Sequence, residues 1–286
     1  MSTKKSMTDA YKLNNGVLIP PIGFGTWQVA EGDEAYRSVL EAIKVGYRHI
    51  DTAQGYGNEE SVGRAVRDSG VNRKELFITS KLANPIRGYD ETRRAFDESL
   101  RKLGTDYMDL FLLHWPRPAA YRDNWAHMNA ESWRAMEEFV DEGRLRAIGI
   151  SNFRRHHIDA LLDKARIAPA VNQIRLCPGD TQDETVAYSR EKGMLLEAYS
   201  PLGVGKIFAV PEMQDMAKKY GKSIAQIAIR WSLQRGYLPL PKSVTPERIR
   251  ENIQVFDFTL SDEDIALMAG LTGAAGTHTD PDTITW

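Results

Sequence analysis

Short apolar or β-branched runs alternate with amphipathic stretches along almost the whole chain, at intervals of roughly 25 to 40 residues, which is the rhythm of strand–helix–strand units. Eight runs read as strands: IGFGTW (22–27), HIDTA (49–53), LFITSKL (76–82), MDLFLLHW (108–115), AIGISNF (147–153), AVNQIR (170–175), LLEAYSPL (195–202) and YLPLPKSV (237–244). Between them, DEAYRSVLEAIKVG sets Tyr36, Val39, Leu40 and Ile43 at spacings of three and four and stops at Gly46. ETRRAFDESLRKLG, AESWRAMEEFVDEG and TPERIRENI are similar and are bounded by Gly, Thr or Pro. Ahead of the first strand, YKLNNGVLI holds Asn15-Gly16 between short apolar runs, a hairpin signal suited to capping the bottom of a barrel. Eight strands and eight helices in about 250 residues predict an α/β fold, a (β/α)8 TIM barrel with an N-terminal β-hairpin and an active site at the C-terminal strand ends. No linker or composition shift divides the chain, so residues 1–286 are expected to form one domain.

Two intervals are long. PRPAAYRDNWAHMNA (116–130) has no clean helical period and is a candidate substrate loop. Leu202 to Tyr237 is mostly two helical pieces, PEMQDMAKKYG and SIAQIAIRWSLQRG, which leaves a short loop, GVGKIFAV.

Composition changes this picture little. With 286 residues, 42% hydrophobic content and a net charge of -2, the chain can bury one large core and is no polyelectrolyte, so nucleic acid is not an expected partner. The start, MSTKKSMTDAYKL, is basic but lacks an apolar signal region, and no run of about 18 apolar residues suggests a membrane span. The one cysteine, Cys177, excludes an internal disulfide and fits a reducing cytoplasm, where it reads as a half-buried small residue.

Chemistry gathers at the strand ends. HIDTAQGYG ends its apolar run at Asp51 and sets Tyr56 between two glycines; the next two strands end near Lys81 and near His114. A tyrosine is a poor acid at neutral pH, but an adjacent ammonium favours the phenolate. Lys81 supplies that ammonium, Asp51 holds it charged, and a neutral His114 hydrogen-bonds a substrate oxygen. The set reads as a general acid aimed at a carbonyl. With GFGTW before it and GISNF, NQI and PKS after it, the tetrad resembles the aldo-keto reductase superfamily over about Leu13 to Thr272.

Other readings of the motifs fail on spacing. No Gly-x-Gly completes a dinucleotide fingerprint, Met216 stands where a P-loop ending in Gly221-Lys222-Ser223 needs glycine, and Phe153 replaces the last glycine of a nucleophile elbow. His156-His157 lacks the spacing and the carboxylate partner of a zinc helix, so no metal is expected.

Cofactor binding then falls to the second half of the barrel. Ser151, Asn152 and Gln173 have amide and hydroxyl groups that match a carboxamide, and Tyr199 offers a flat face. Lys242, Ser243, Val244, Arg248 and Asn252, at the start of what reads as the last helix, suit a phosphate monoester. The resemblance implies that these groups bind the nicotinamide and the 2′-phosphate and adenine of NADPH, with further contacts from Gly25, Thr26, Trp27, Ser200 and Leu202. Trp27, Trp115, Trp125 and Trp286 are expected around the substrate. The sequence departs from the family at Arg175 and Cys177, where relatives commonly carry an acid and a histidine. A short tail and short GVGKIFAV imply an open site, like prokaryotic reductases of the 2,5-diketo-D-gluconate type. The expected activity is NADPH-dependent reduction of aldehydes and ketones, dicarbonyls included, by a monomer. The rivals are an NADPH-binding regulatory or structural barrel and, more weakly, a hydrolase or isomerase using Asp51 and His114.

Overall fold

The computed structural model describes Lys4 and residues 6–286; positions 1–3 and 5 of the basic N-terminal stretch lie outside the described residues. Strands β1 (Tyr11–Lys12) and β2 (Leu18–Ile19) pair antiparallel around Gly16, whose φ of 88° is a turn conformation that favours glycine. This hairpin covers the bottom of the barrel. Tyr11 donates to the Tyr237 carbonyl, Asn14 to Pro169 and Asn15 to Arg146.

Eight parallel strands follow: β3 (Phe24–Gly25), β4 (His49–Asp51), β5 (Phe77–Leu82), β6 (Met108–Leu113), β7 (Leu145–Ser151), β8 (Val171–Arg175), β9 (Leu195–Tyr199) and β10 (Leu238–Leu240), each paired with the next. Backbone hydrogen bonds from Gly23 to Pro239 and from Gly25 to Pro241, both 3.0 Å, close the ring. A Cβ on Gly25 would stand 3.1 Å from the Leu240 carbonyl oxygen, so the absence of a side chain lets the first strand reach the last. The expected (β/α)8 barrel with its hairpin is what forms.

The described residues contain ten helices rather than eight. They are α1 (Asp33–Lys44), α2 (Glu59–Asp68), α3 (Tyr89–Leu103), α4 (Trp125–Asp141), α5 (Arg155–Leu162), α6 (Asp183–Glu191), α7 (Pro211–Tyr220), α8 (Ile224–Gln234), α9 (Pro246–Asn252) and α10 (Asp262–Ala269). The helix carrying Arg248 and Asn252 is therefore not the last, because α10 packs Met268 into the cluster between β8, β9 and α8. The stretch 116–130 is also partly helical, since α4 begins at Trp125. Its period was hidden because an inward position is polar: Asn129 accepts from Arg87 Nε and donates to the Pro116 carbonyl.

Strand parity sorts the core. Ile78, Phe111, Ile148 and Ile150 face the helices, as do Leu196 and Ala198. Phe77, Leu110, Leu112, Ala147, Val171, Leu195, Leu238 and Leu240 fill the barrel with the hairpin residues Tyr11, Leu13 and Ile19. Further along the same inward positions, the side chains become polar.

Candidate active site

Continuing two residues at a time from those positions, and from buried His49 on β4, reaches Asp51 on β4, Lys81 on β5, His114 just past β6, Ser151 on β7, Gln173 on β8 and Glu197 and Tyr199 on β9. The pairing register sets Ser151 beside Gln173 and Gln173 beside Glu197. Tyr56 arrives differently, at the end of a 3-10 turn (Gln54–Tyr56) that Gly57 ends at φ 70°. Gln54 fixes that turn by donating to Ala95 and Ser99 and accepting from the Ala83 amide. Buried Asn58 ties it to the loop after β3, donating to Thr26 and Val29 carbonyls and accepting from Thr52.

All four expected catalytic side chains meet. Lys81 Nζ donates to Asp51 Oδ1 at 2.6 Å, to the Thr52 carbonyl at 2.9 Å and to the Tyr56 hydroxyl at 3.3 Å. The Tyr56 and His114 rings pack edge to face, 5.7 Å apart. Burial works against the charge on Lys81, but Asp51 and Tyr56 outweigh it and hold the ammonium above its ordinary pKa. His114 is driven well below the usual histidine range by burial and by the charges of Lys81 and Arg87, which keeps it neutral. For Tyr56 the expectation needs correcting in sign. Burial raises its pKa more than Lys81 lowers it, with Asp51 adding to the rise, so the resting group is a protonated phenol.

The cofactor candidates divide into committed and free groups. Ser151 Oγ donates to the Gln173 carbonyl, and Thr26 Oγ1 to the Asp51 carbonyl, so those donors serve the backbone. Asn152, at φ 64°, donates to the His114 carbonyl and accepts from the Tyr199 hydroxyl, which orients the Tyr199 ring. Gln173 Nε2 donates to both Asp51 Oδ2 and Glu197 Oε2, leaving its carbonyl oxygen as the amide's uncommitted polar atom. Ser200, at φ 48°, and Leu202 begin the turn into GVGKIFAV, and Gly25 and Trp27 flank Thr26 at the top of β3. On the far side, Ser243 accepts from the Thr245 amide, Val244 and Arg248 are exposed, and Asn252 is buried. Among the described residues neither Lys242 nor Arg248 has an anionic partner, so two cations remain for a phosphate. These groups fit a nicotinamide dinucleotide phosphate: a carbonyl acceptor for its carboxamide, an aromatic ring near it and free cations at a distance.

Of the tryptophans expected around the substrate, Trp27 is exposed, and Trp115, 9% exposed, meets Trp286 edge to face at 5.9 Å. Trp125 is placed against His157, 4.9 Å between rings, at the start of α4. The carboxylate that His156-His157 lacked in the sequence comes from the C-terminal tail. Asp282 Oδ1 lies 3.1 Å from Nε2 of both histidines. His157 Nδ1 accepts the Arg154 amide, so Nε2 carries the proton and donates to Asp282. This pins the tail, and Arg122 holds it again at the Ile284 carbonyl. Arg175, the departure noted above, pairs with Asp180 and donates to the Ala275 and Gly276 carbonyls, fastening the tail's beginning. Cys177 is fully buried rather than half-buried, and burial pushes its thiol up to about 11.

Two groups escaped the sequence reading. Glu197 gives no motif, although counting two back from Tyr199 reaches it. Arg87 is buried with no carboxylate partner among the described residues and donates to Asn129 and to the carbonyls of Ala83, Ile86 and Trp115.

A sequence model described as the Aldo/keto reductase family matches residues 21–272. The chain is 45% identical to the glyoxal reductase of Bacillus subtilis (strain 168), over 97% of this chain and 98% of that protein. It is 42% identical to the methylglyoxal reductase DkgA of Escherichia coli (strain K12), over 95% and 96%. Among solved structures it superposes on a Bombyx mori aldo-keto reductase in complex with NADP, with a TM-score of 0.85, 34% identity and coverage of 96% and 94%.

Proposed function

The chain belongs to the aldo/keto reductase family and reduces aldehydes and ketones to alcohols with NADPH, and on that premise we propose that Tyr56 is its general acid. Bound NADPH supplies the hydride that the carbonyl carbon receives. The Tyr56 phenol gives its proton to the carbonyl oxygen. The phenolate left behind is stabilised by the Lys81 ammonium, which Asp51 keeps charged and aimed. Neutral His114 donates a hydrogen bond to the same oxygen and so orients it. Gln173 and Tyr199, the latter oriented by Asn152, would hold the nicotinamide, and Lys242 and Arg248 would hold the 2′-phosphate.

The observation that carries the acid assignment is one buried ammonium within hydrogen-bond reach of both Asp51 Oδ1, at 2.6 Å, and the Tyr56 hydroxyl, at 3.3 Å. Tyr56→Phe tests it. NADPH binding, followed by protein fluorescence, should be retained while carbonyl-dependent loss of NADPH absorbance falls by more than the roughly 10²- to 10⁴-fold usual for a general acid. A variant keeping a tenth of the wild-type turnover would assign the acid elsewhere. The reading of a barrel that only binds NADPH is not favoured, because the tetrad is assembled and similar proteins are named as reductases.

The substrates proposed are small aldehydes and dicarbonyls. In this reading residues 1–286 act as one domain and as a monomer in the cytoplasm, with neither nucleic acid nor membrane as partner. The near-neutral charge and the single buried thiol support that setting. No helix among the described residues is long and apolar enough to cross a membrane.

A further inference from the structure

Glu197 sits in the middle of β9, fully buried, with its side chain among the groups of the proposed site although no step above uses it. Oε2 accepts from Gln173 Nε2 at 2.7 Å, while Oε1 is buried without a hydrogen-bond partner. The same Gln173 nitrogen donates to Asp51 Oδ2 at 2.9 Å. A primary amide has two donors on nitrogen and only acceptor capacity on oxygen. Both donors of Gln173 are thus spent on carboxyl groups reaching it from β4 and β9. Turning the amide over would bring its oxygen against the Asp51 carboxylate, lone pair against lone pair, and strand the nitrogen. With Asp51 alone, one donor would be unsatisfied and the amide less firmly held.

We propose that Glu197 is a positioning residue which, with Asp51, locks Gln173 so that its carbonyl oxygen and not its nitrogen is offered to the nicotinamide carboxamide. The inference rests on the reading of Gln173 as a nicotinamide ligand. It carries a specificity consequence. A locked acceptor receives the carboxamide N–H of NADP⁺ and repels the carboxylate of the nicotinic acid analogue of NADP⁺, which has no such donor. Glu197 and Asp51 therefore make the site read the amide.

The test is a pair of dissociation constants, for NADP⁺ and for its nicotinic acid analogue, measured by calorimetry on the whole chain. Glu197→Leu fills similar volume but accepts nothing from Gln173, so the amide, held by Asp51 alone and less firmly fixed, should discriminate less and the ratio of the two constants should shrink by about tenfold. Glu197→Gln can still present a carbonyl oxygen and should restore the ratio to within about twofold of wild type. If Glu197→Leu does not fold, Glu197→Met removes the same acceptor with a more adaptable side chain. Gln173→Leu separates the two ideas. An unchanged affinity for NADP⁺ in that variant would overturn Gln173 as a cofactor ligand. A weakened NADP⁺ affinity in Gln173→Leu, with the wild-type ratio intact in the apolar Glu197 variant, would leave that reading standing and overturn the positioning role of Glu197.

Discussion

A carboxyl group that is wholly buried, with Asp51 across a shared amide, keeps its proton far above the ordinary range. Glu197 is pushed up to about 8 by burial first and by Asp51 second, with the Gln173 hydrogen bond and Lys81 opposing. The consequence for stability has a definite sign. Between the ordinary glutamate value of about 4.3 and a pH near 8, the unfolded chain has released this proton while the folded chain retains it. The folded state then binds more protons, so resistance to unfolding falls as pH rises, by up to about 1.4 kcal/mol per pH unit from this group, and levels off above pH 8. Glu197→Gln removes the titration while keeping an acceptor for Gln173. Urea unfolding at pH 5, 6, 7 and 8 should show the variant gaining on the wild type at each step. A stability difference that is constant across that range would mean Glu197 is already ionised at pH 5. The tetrad was readable from sequence because Asp51, Lys81 and His114 end apolar runs and Tyr56 stands between two glycines five residues past Asp51. Glu197 lies one inward step below Tyr199 and has no motif, so parity alone gives it away. The sign at Tyr56 was not readable, because burial is set by neighbours from several strands.

Between the strands and the helices that follow them, cations without partners stand out. Most surface arginines here have a carboxylate, such as Arg93 with Glu138 and Glu142 or Arg101 with Glu98. Lys242 and Arg248, in the connection from β10 and in α9, have none among the described residues. A phosphate monoester makes charge-assisted contacts with such groups, whereas the 2′-hydroxyl of NADH makes none of comparable strength. Arg248→Ala should therefore weaken NADPH by roughly ten- to a hundredfold and leave NADH nearly unchanged, as read from KM or from fluorescence titration with each cofactor. Equal losses for both would place the residue's effect on the fold. The elements themselves were legible where one face is apolar, which is why all eight barrel strands and the hairpin appear where the pattern put them. The beginning of α4 was not, because Asn129 turns inward to accept from Arg87 and interrupts its period.

At the scale of the whole molecule, the tail joins parts of the barrel that are distant in sequence. Arg175, the last residue of β8 and paired with Asp180, donates to Ala275 and Gly276 at the tail's start; His156 and His157 hold Asp282; Arg122 and the Ala119 amide donate to the carbonyls of Ile284 and Trp286. None of these contacts has a local sequence signature, so the expectation of an open site did not include a tail fastened along its length. The fastening delivers Trp286, 57% exposed, onto Trp115, which is nearly buried and whose carbonyl is gripped by Arg87. The two tryptophans should then behave differently. Trp115→Ala removes a packed ring as well as a piece of pocket wall, so it should lower the melting temperature and also raise KM for aromatic or bulky carbonyls more than for small dicarbonyls. Trp286→Ala takes away a ring that is mostly in water, so stability should change little while the same bias in KM persists. Hydrophobic walls discriminate weakly, by about 1 to 3 kcal/mol per methylene, so the bias should appear as a graded trend across a homologous aldehyde series rather than as loss of any one substrate. If KM for large and small carbonyls moved together in both variants, the two rings would be packing against each other and the pocket wall would have to be sought elsewhere.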